Sequence, residues 1–215
     1  MVYARPEADG RFLTFGVSGV LYNANVLFYD EQTANLWQQL NGQATVGNKQ
    51  GEHLDKIPSV FTTWLLWKES NPTTLVLSTR TGFRIDYDLD PYTDISMMSE
   101  DGGWKKGNYW KDDNLWFQPL NSLKLDHKRR FRNKARLLVV EVNRQLKAYP
   151  IDTVLELGGT IRDEFAGTQL TVQCHGKLEG CVVTDKEGFQ LPAHEVFWFV
   201  WYAFYPNGSI FEPPN

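Results

Sequence analysis

The chain has 215 residues, a net charge of −4, 42% hydrophobic residues and 14% aromatics. That length and apolar content support one compact domain, or two halves sharing a core, burying about 70% of the unfolded surface. No global basic field points to nucleic acid, no apolar run is long enough to span a membrane, and two cysteines make no disulfide framework.

In chain order, Met1 to Gly19 has no basic stretch leading into a continuous apolar one, so no signal peptide is read there. As written the chain is cytoplasmic; it would be exported if it belonged to a longer precursor. "RFLTFGVSG" and "NVLFYDEQT" are predicted strands around a turn, and "ANLWQQLNGQATVG" is a further extended stretch. "GVSGV" fails as a nucleophile elbow, because Val20 stands where the last glycine belongs and no helix follows. Ser18 is expected in a tight strand turn allowed by Gly16 and Gly19.

At Pro58 begins "PSVFTTWLLWKESNPTTLVL". Phe61, Trp64, Leu65 and Lys68 recur at i, i+3, i+4 and i+7, and Asn71-Pro72 ends the period, so a helix is predicted over 60–70. Apolar "TTLVLST" and polar "TGFRIDYDLDPYTDI" follow. Asp86, Asp88 and Asp90 alternate there as a solvated edge, with no calcium loop around them. Residues 99–122 read as a long loop whose three tryptophans hold it against the body.

"KLDHKRRFRNKAR", residues 124–136, carries seven basic residues. It reads as a solvated connector, with a local anion or lipid-headgroup patch as the alternative. Beyond it come a hairpin, "RLLVVEVNRQLKAYP", turning at Asn143-Arg144, and a short helix, "IDTVLELGG", ended by glycine. Strands "QLTVQC" and "CVVTDKEG" complete the run. In "CHGKLEGC", Cys174 and His175 are adjacent and so point to opposite faces of a strand, and the spacing to Cys181 is not that of a zinc site. Three readings stand: two thiols, a disulfide across a hairpin turn, or a metal or redox site at Cys174 and His175. His53, His127 and His194 have no ligand-spaced partners and read as surface or capping residues. His194-Glu195 is suited to capping the last helix.

That helix lies in "PAHEVFWFVWYAFYPNGSIF", residues 192–211, and is predicted over 195–205. Its Pro192, Trp198, Trp201 and Pro206 repeat the spacing of Pro58, Trp64, Trp67 and Pro72 without a gap. The match predicts an internal duplication, two Trp helices related by an approximate two-fold axis, and deeper burial of the second, which is apolar all round. "LTFGVSGVLYNANVLFYDEQT" also lies over "LTVQCHGKLEGCVVTDKEG", matching Leu13 to Leu170 and Asp30 to Asp185. The expected fold is α+β and mostly antiparallel. It is a single domain of two related halves, about 1–122 and 135–215, joined by the basic connector at 123–134.

The stretches "LTFGVSGVLYNANVLFYDEQTANLWQQ", "TTLVLSTRTGFRIDYDLDPY", "KAYP" and "FWFVWYAF" together resemble the domain of unknown function 3179 family of bacteria and archaea. The resemblance covers nearly the whole chain and implies no established activity or cofactor. It makes Ser18, Tyr22, Asn23, Asn25 and Asp30 candidates to line a binding pocket, beside the plainer role of turn hydrogen bonding. Family members usually carry an upstream segment with "YP…HEIVND" and "YCPLCG", which has no match before Phe12 here. Residues 147–174 look like a second edition of it, with Cys174 near the first motif cysteine. Met1 is therefore expected to be an internal start or a fragment edge, leaving a strand edge near residues 12–29 for a homodimer to cover. Two functions follow: a binding module, or an enzyme or metal–redox protein using Ser18, Tyr22, Asn23 and Asp30 with Cys174 and His175 between the halves.

Overall fold

Three two-residue turns set the local architecture: Asn23-Ala24, Asn143-Arg144 and Ala166-Gly167, each with both residues at positive φ. That conformation suits the right-handed twist of the flanking strands. It places Tyr22 opposite Asn25, Val142 opposite Gln145 and Phe165 opposite Thr168. The computed structural model describes residues 1–8, 10–89, 96–98, 104–106, 124–176 and 180–213. They form mostly antiparallel sheets with three short helices.

The first-half strands are β1 (Val2–Tyr3), β2 (Glu7–Ala8), β3 (Arg11–Phe12), β4 (Phe15–Tyr22), β5 (Asn25–Asp30), β6 (Leu36–Gln38), β7 (Ala44–Val46) and β8 (Lys56–Ile57). Helix α1 (Trp64–Ser70) follows, then β9 (Ser96–Met98) and β10 (Trp104–Lys106). The second half runs β11 (Arg136–Val142), β12 (Gln145–Pro150), α2 (Ile151–Glu156), β13 (Thr160–Phe165) and β14 (Thr168–Cys174). It closes with β15 (Cys181–Asp185), β16 (Ala193–Phe197), α3 (Trp198–Phe204) and β17 (Ser209–Ile210).

The second half holds the larger core. One sheet runs β16-β11-β12-β17, its last pair parallel, and another runs β13-β14-β15. In β11, Leu137, Leu138, Val139 and Val140 are all buried, because both faces of the strand are covered. Leu137 and Val139 cluster with Trp198 and Trp201 of α3. Leu138 and Val140 cluster with Ile151 and Val154 of α2 and with Val172 and Val183 of the neighbouring sheet. A strand covered on two sides reads as a continuous apolar run, and this one does. Helix α2 ends at Gly158-Gly159, both at positive φ, with the Gly159 N–H returning to the Val154 carbonyl at 2.9 Å.

The first half has a smaller core of Leu13, Trp37, Ala44 and Leu54, with the sheet β4-β5-β6-β7 and a β1–β8 pair. The halves meet where Leu40 joins Phe199 and Val200 of α3, and where Lys56 pairs with Glu141. Between them, Asp126 of the basic connector accepts from the Arg130 N–H at 2.6 Å and the Trp198 indole N–H at 3.2 Å. Arg130 pairs with Glu212.

Several expectations change. The last helix begins at Trp198, because residues 193–197 form a five-pair ladder with β11. His194-Glu195 is therefore strand, and the Trp198 and Phe199 N–H groups reach the Ala135 and Asn133 carbonyls instead, at 2.8 and 3.0 Å. His194 is a core residue at 8% exposure. "TTLVLST" joins no ladder, and Leu75 in it is 97% exposed. Asp86 and Asp88 are exposed, with Asp86 accepting from the Asp88 N–H at 3.1 Å. Asp90 and most of the predicted loop 99–122 lie outside the described residues.

Candidate functional site

The two tryptophan helices have the same local form. Helix α1 spans 64–70 and α3 spans 198–204, each seven residues beginning at the first Trp of its Pro–Trp–Trp–Pro segment. Their N-terminal flanks, Thr63 and Phe197, have φ/ψ of −78/153° and −77/149°, and their C-terminal flanks, Asn71 and Tyr205, have −134/66° and −132/65°. The N–H groups of Asn71 and Tyr205 close on Trp67 and Trp201 carbonyls, both at 2.8 Å. Their surroundings differ completely: Trp198 is 2% exposed and Trp64 is 50%. No residue of α1 is buried.

Each helix segment has residues of the other half's hairpin beside it. The β4–β5 turn lies on α3, where the Asn23 amide donates to the Ala203 carbonyl at 3.4 Å and the Tyr22 ring meets Phe204 edge-on at 5.6 Å. One end of the β14–β15 connection is near α1, where His175 with Leu66, Trp67, Ser70 and Asn71 lines a hollow of about 390 Å³. Gly180 there comes so close that an added Cβ would stand 2.5 Å from the Phe61 carbonyl oxygen.

The remaining candidates serve their own sheet. The Ser18 hydroxyl donates to the Leu27 carbonyl at 2.6 Å and its oxygen accepts from the Val20 N–H at 3.1 Å, inside the register shift between Val17 and Leu21. Gly19, at φ 75°, supplies the backbone freedom that shift needs. The Asn25 amide donates to the Gln39 side chain at 3.0 Å and its oxygen accepts from Gln38 at 3.2 Å. Asp30, 0% exposed, accepts from the Thr33 N–H and hydroxyl and from the Trp37 indole N–H, the last at 2.9 Å, and from Asn35. Burial alone would raise its pKa, but the Thr33, Trp37 and Asn35 hydrogen bonds outweigh this and hold it below the usual range.

Cys174 and Cys181 are opposite one another in the β14–β15 ladder, Cα atoms 4.2 Å apart, and form a disulfide. A bridged sulfur offers no thiolate to a metal, so ligation at Cys174 would require the reduced chain. Both cysteines are 3% exposed within the second-half core, while His175 is exposed. Among the described residues no three His, Cys, Asp or Glu side chains group as a metal site. Ser18, Tyr22, Asn23 and Asp30 are not gathered with Cys174 and His175: Tyr22 and Asn23 are on α3, and His175 is by α1.

One cluster was absent from the sequence reading. Asp163 pairs with Lys147 at 2.5 Å and accepts from the Tyr149 hydroxyl at 2.8 Å. The Lys147 ammonium lies over the Tyr149, Phe165 and Phe211 rings at 5.7, 5.5 and 5.9 Å. Burial and the bond to Asp163 push the Tyr149 pKa well up. The available signal was the alternation of "KAYP", which puts Lys147 and Tyr149 on one strand face. Asp163 also lines an open, polar hollow of about 700 Å³ with Arg162, Glu164 and Lys186.

No curated protein and no solved structure matches the chain. The family described as "Protein of unknown function (DUF3179)" matches residues 1–208, nearly the full length, and the chain belongs to that family.

Proposed function

We propose that this protein is a non-catalytic binding module built from two related halves, and that it binds through the first. The observation that carries the reading is the unequal covering of the two tryptophan helices. Phe61, Trp64 and Leu65 are exposed at 62%, 50% and 65%, and Leu77 in the following stretch at 96%. Contiguous exposed apolar surface on a folded chain marks an interaction site.

Relatedness of the halves is supported by the equal helix spans and closely matching flanking dihedrals, and by the contact of Asn23 with α3 and of Gly180 with the segment leading into α1. The hairpins support it too. Phe15 is opposite Asp30 and Val17 opposite Phe28; Leu170 is opposite Asp185 and Val172 opposite Val183. Matching Asp30 to Asp185 therefore equates Phe15, not Leu13, with Leu170, a two-residue correction to the sequence alignment. Both aspartates hold the next turn, Asp30 through Thr33 and Asp185 through the N–H groups of Glu187 and Phe189.

An environment-sensitive apolar dye tests the reading. The folded protein should bind it, and a Trp64→Ser/Leu65→Ser variant should lose most of the signal while melting within a few degrees of the parent. A folded parent that binds no dye would remove the surface from consideration. Stoichiometric metal in purified protein, lost on Cys174→Ala, would replace the binding module with the metal–redox reading.

A further inference from the structure

Side chains alternate between faces along β11 and β16, so Leu137, Val139 and Glu141 share one face with His194 and Val196 of the neighbouring strand. Helix α3 covers the Leu137–Val139 end of that face. The first half reaches over the other end. Lys56 of β8 pairs with Glu141, with 11% of the lysine side chain exposed. Tyr3 of β1 is opposite Lys56 in the ladder, and its hydroxyl donates to the Gln39 carbonyl at 2.9 Å. Burial, then Glu141 and Tyr205, raise the Tyr3 pKa. His194 is buried in the same place. The charged groups acting on it are Lys56 and the Met1 amino group, both positive. Glu141 is taken by Lys56, and Glu195 lies on the opposite face with Arg136.

We infer that this face is an acid-responsive joint between the halves: a proton taken up by His194 releases the β1–β8 pair while the second-half sheet stays formed. The imidazolium adds a positive charge beside Lys56, and a buried charge without a counter-ion escapes by reaching water. Strand β16 is fixed to β11 by five ladder pairs, and Leu137 and Val140 of β11 are 0% exposed. The β1–β8 cover has two ladder pairs, too few to stand alone in water, so it is the element that leaves. Burial, then Lys56 and the Met1 amino group, lower the His194 pKa to about 3, and hydration returns it to 6.5. Between those values the open form binds the proton more readily. The closed joint is fully favoured above pH 6.5 and loses about tenfold per pH unit below it. At pH 4.5 it opens about a hundredfold more often than at pH 7.5.

Native-state amide exchange on the full chain at pH 7.5 and 4.5, corrected for intrinsic rates, tests the joint. The reporter is the Ala4 N–H, held by the Asp55 carbonyl at 2.8 Å. Its protection should fall about a hundredfold at pH 4.5 with a shallow urea dependence, while β11 amides stay better protected and keep a steep one. In His194→Gln the fall should be no more than about threefold. A parent whose Ala4 protection holds within about threefold, or a variant that loses as much as the parent, overturns the inference. So does simultaneous loss of Ala4 and β11 protection on one steep urea isotherm at pH 4.5, which is global unfolding. Should the variant not fold, the imidazole resonances of the parent decide. A His194 ring that stays neutral to pH 4.5 in the folded protein supports the joint, and one that titrates near pH 6.5 overturns it.

Discussion

Asp30 and His194 show how position within an element decides a side chain's chemistry. Asp30 ends β5 and is surrounded by donors from its own turn, so its charge is retained in a fully buried place. His194 is the opposite case. Burial, with Lys56 and the N-terminus adding positive charge nearby, lowers its pKa to about 3, so the folded protein keeps it neutral. The unfolded chain protonates it near pH 6.5. Between those values the unfolded state binds more protons, so stability is fully present above pH 6.5 and falls as the pH drops toward 3. Asp30 adds a loss at lower pH, below the ordinary carboxylate range and through its depressed folded value. Urea midpoints at pH 7, 6, 5 and 4 should fall with a slope approaching about 1.4 kcal/mol per pH unit from the histidine. His194→Gln should flatten most of that fall. A parent stable to pH 4, or a variant that declines as steeply, would show His194 protonating freely in the folded state.

At the scale of elements, the end of the first tryptophan helix was legible from its period and Asn71-Pro72. The helix begins at Trp64 rather than at residue 60, because Thr63 is extended and caps it through the Leu66 N–H, leaving Phe61 outside. The turn at Asn143-Arg144 was legible from its flanking apolar runs. The start of α3 was not. Residues 193–197 carry a capping pair, but a ladder with β11 satisfies more backbone groups than a cap would, and that partner is more than fifty positions away. The disulfide was one of three open readings for the same reason: the ladder that opposes Cys174 to Cys181 is a tertiary fact. Ser18, Asn25 and Asp30 were legible as turn and sheet residues, whereas the unequal fates of α1 and α3 show only in the exposures. One pair of positions makes the contrast measurable. The Trp67 indole donates to the Thr74 hydroxyl seven positions on, at 2.9 Å, while Trp201, with Gly208 at the same spacing, has an unpartnered indole N–H. Gly208 lies against that ring, where an added Cβ would approach to 2.5 Å. Trp201 nevertheless carries the packing, being 1% exposed against 38% for Trp67. Trp201→Ala should cost about 3–5 kcal/mol and Trp67→Ala about 1 kcal/mol or less in urea unfolding. Equal losses would mean that α1 is covered after all.

For the whole molecule, the unequal cores imply unequal local stability. The second half closes two faces of β11 with apolar clusters, and α3 belongs to that body through Trp198 and Trp201. Among the described residues, the first half has a core cluster of four buried residues, a β4 paired on one side alone and no buried residue in α1. It borrows part of its order from the contact of Leu40 with Phe199 and Val200 and from the ion pair of Lys56 with Glu141. Cooperative units with few buried apolar contacts open below the global unfolding free energy. Native-state exchange in low urea should therefore resolve two groups. The ladder amides of β5 and β6 should exchange through a partial opening with a shallow denaturant dependence, and those of β11 and β14 only through global unfolding. The opening free energies should differ by about 2–3 kcal/mol, roughly a hundredfold in exchange rate. In the same experiment α3 should follow the second-half group, since Leu137 and Val139 hold it. Convergence of β5, β6, β11 and β14 on one isotherm would mean that the halves unfold as a single unit and that the smaller core is as stable as the larger.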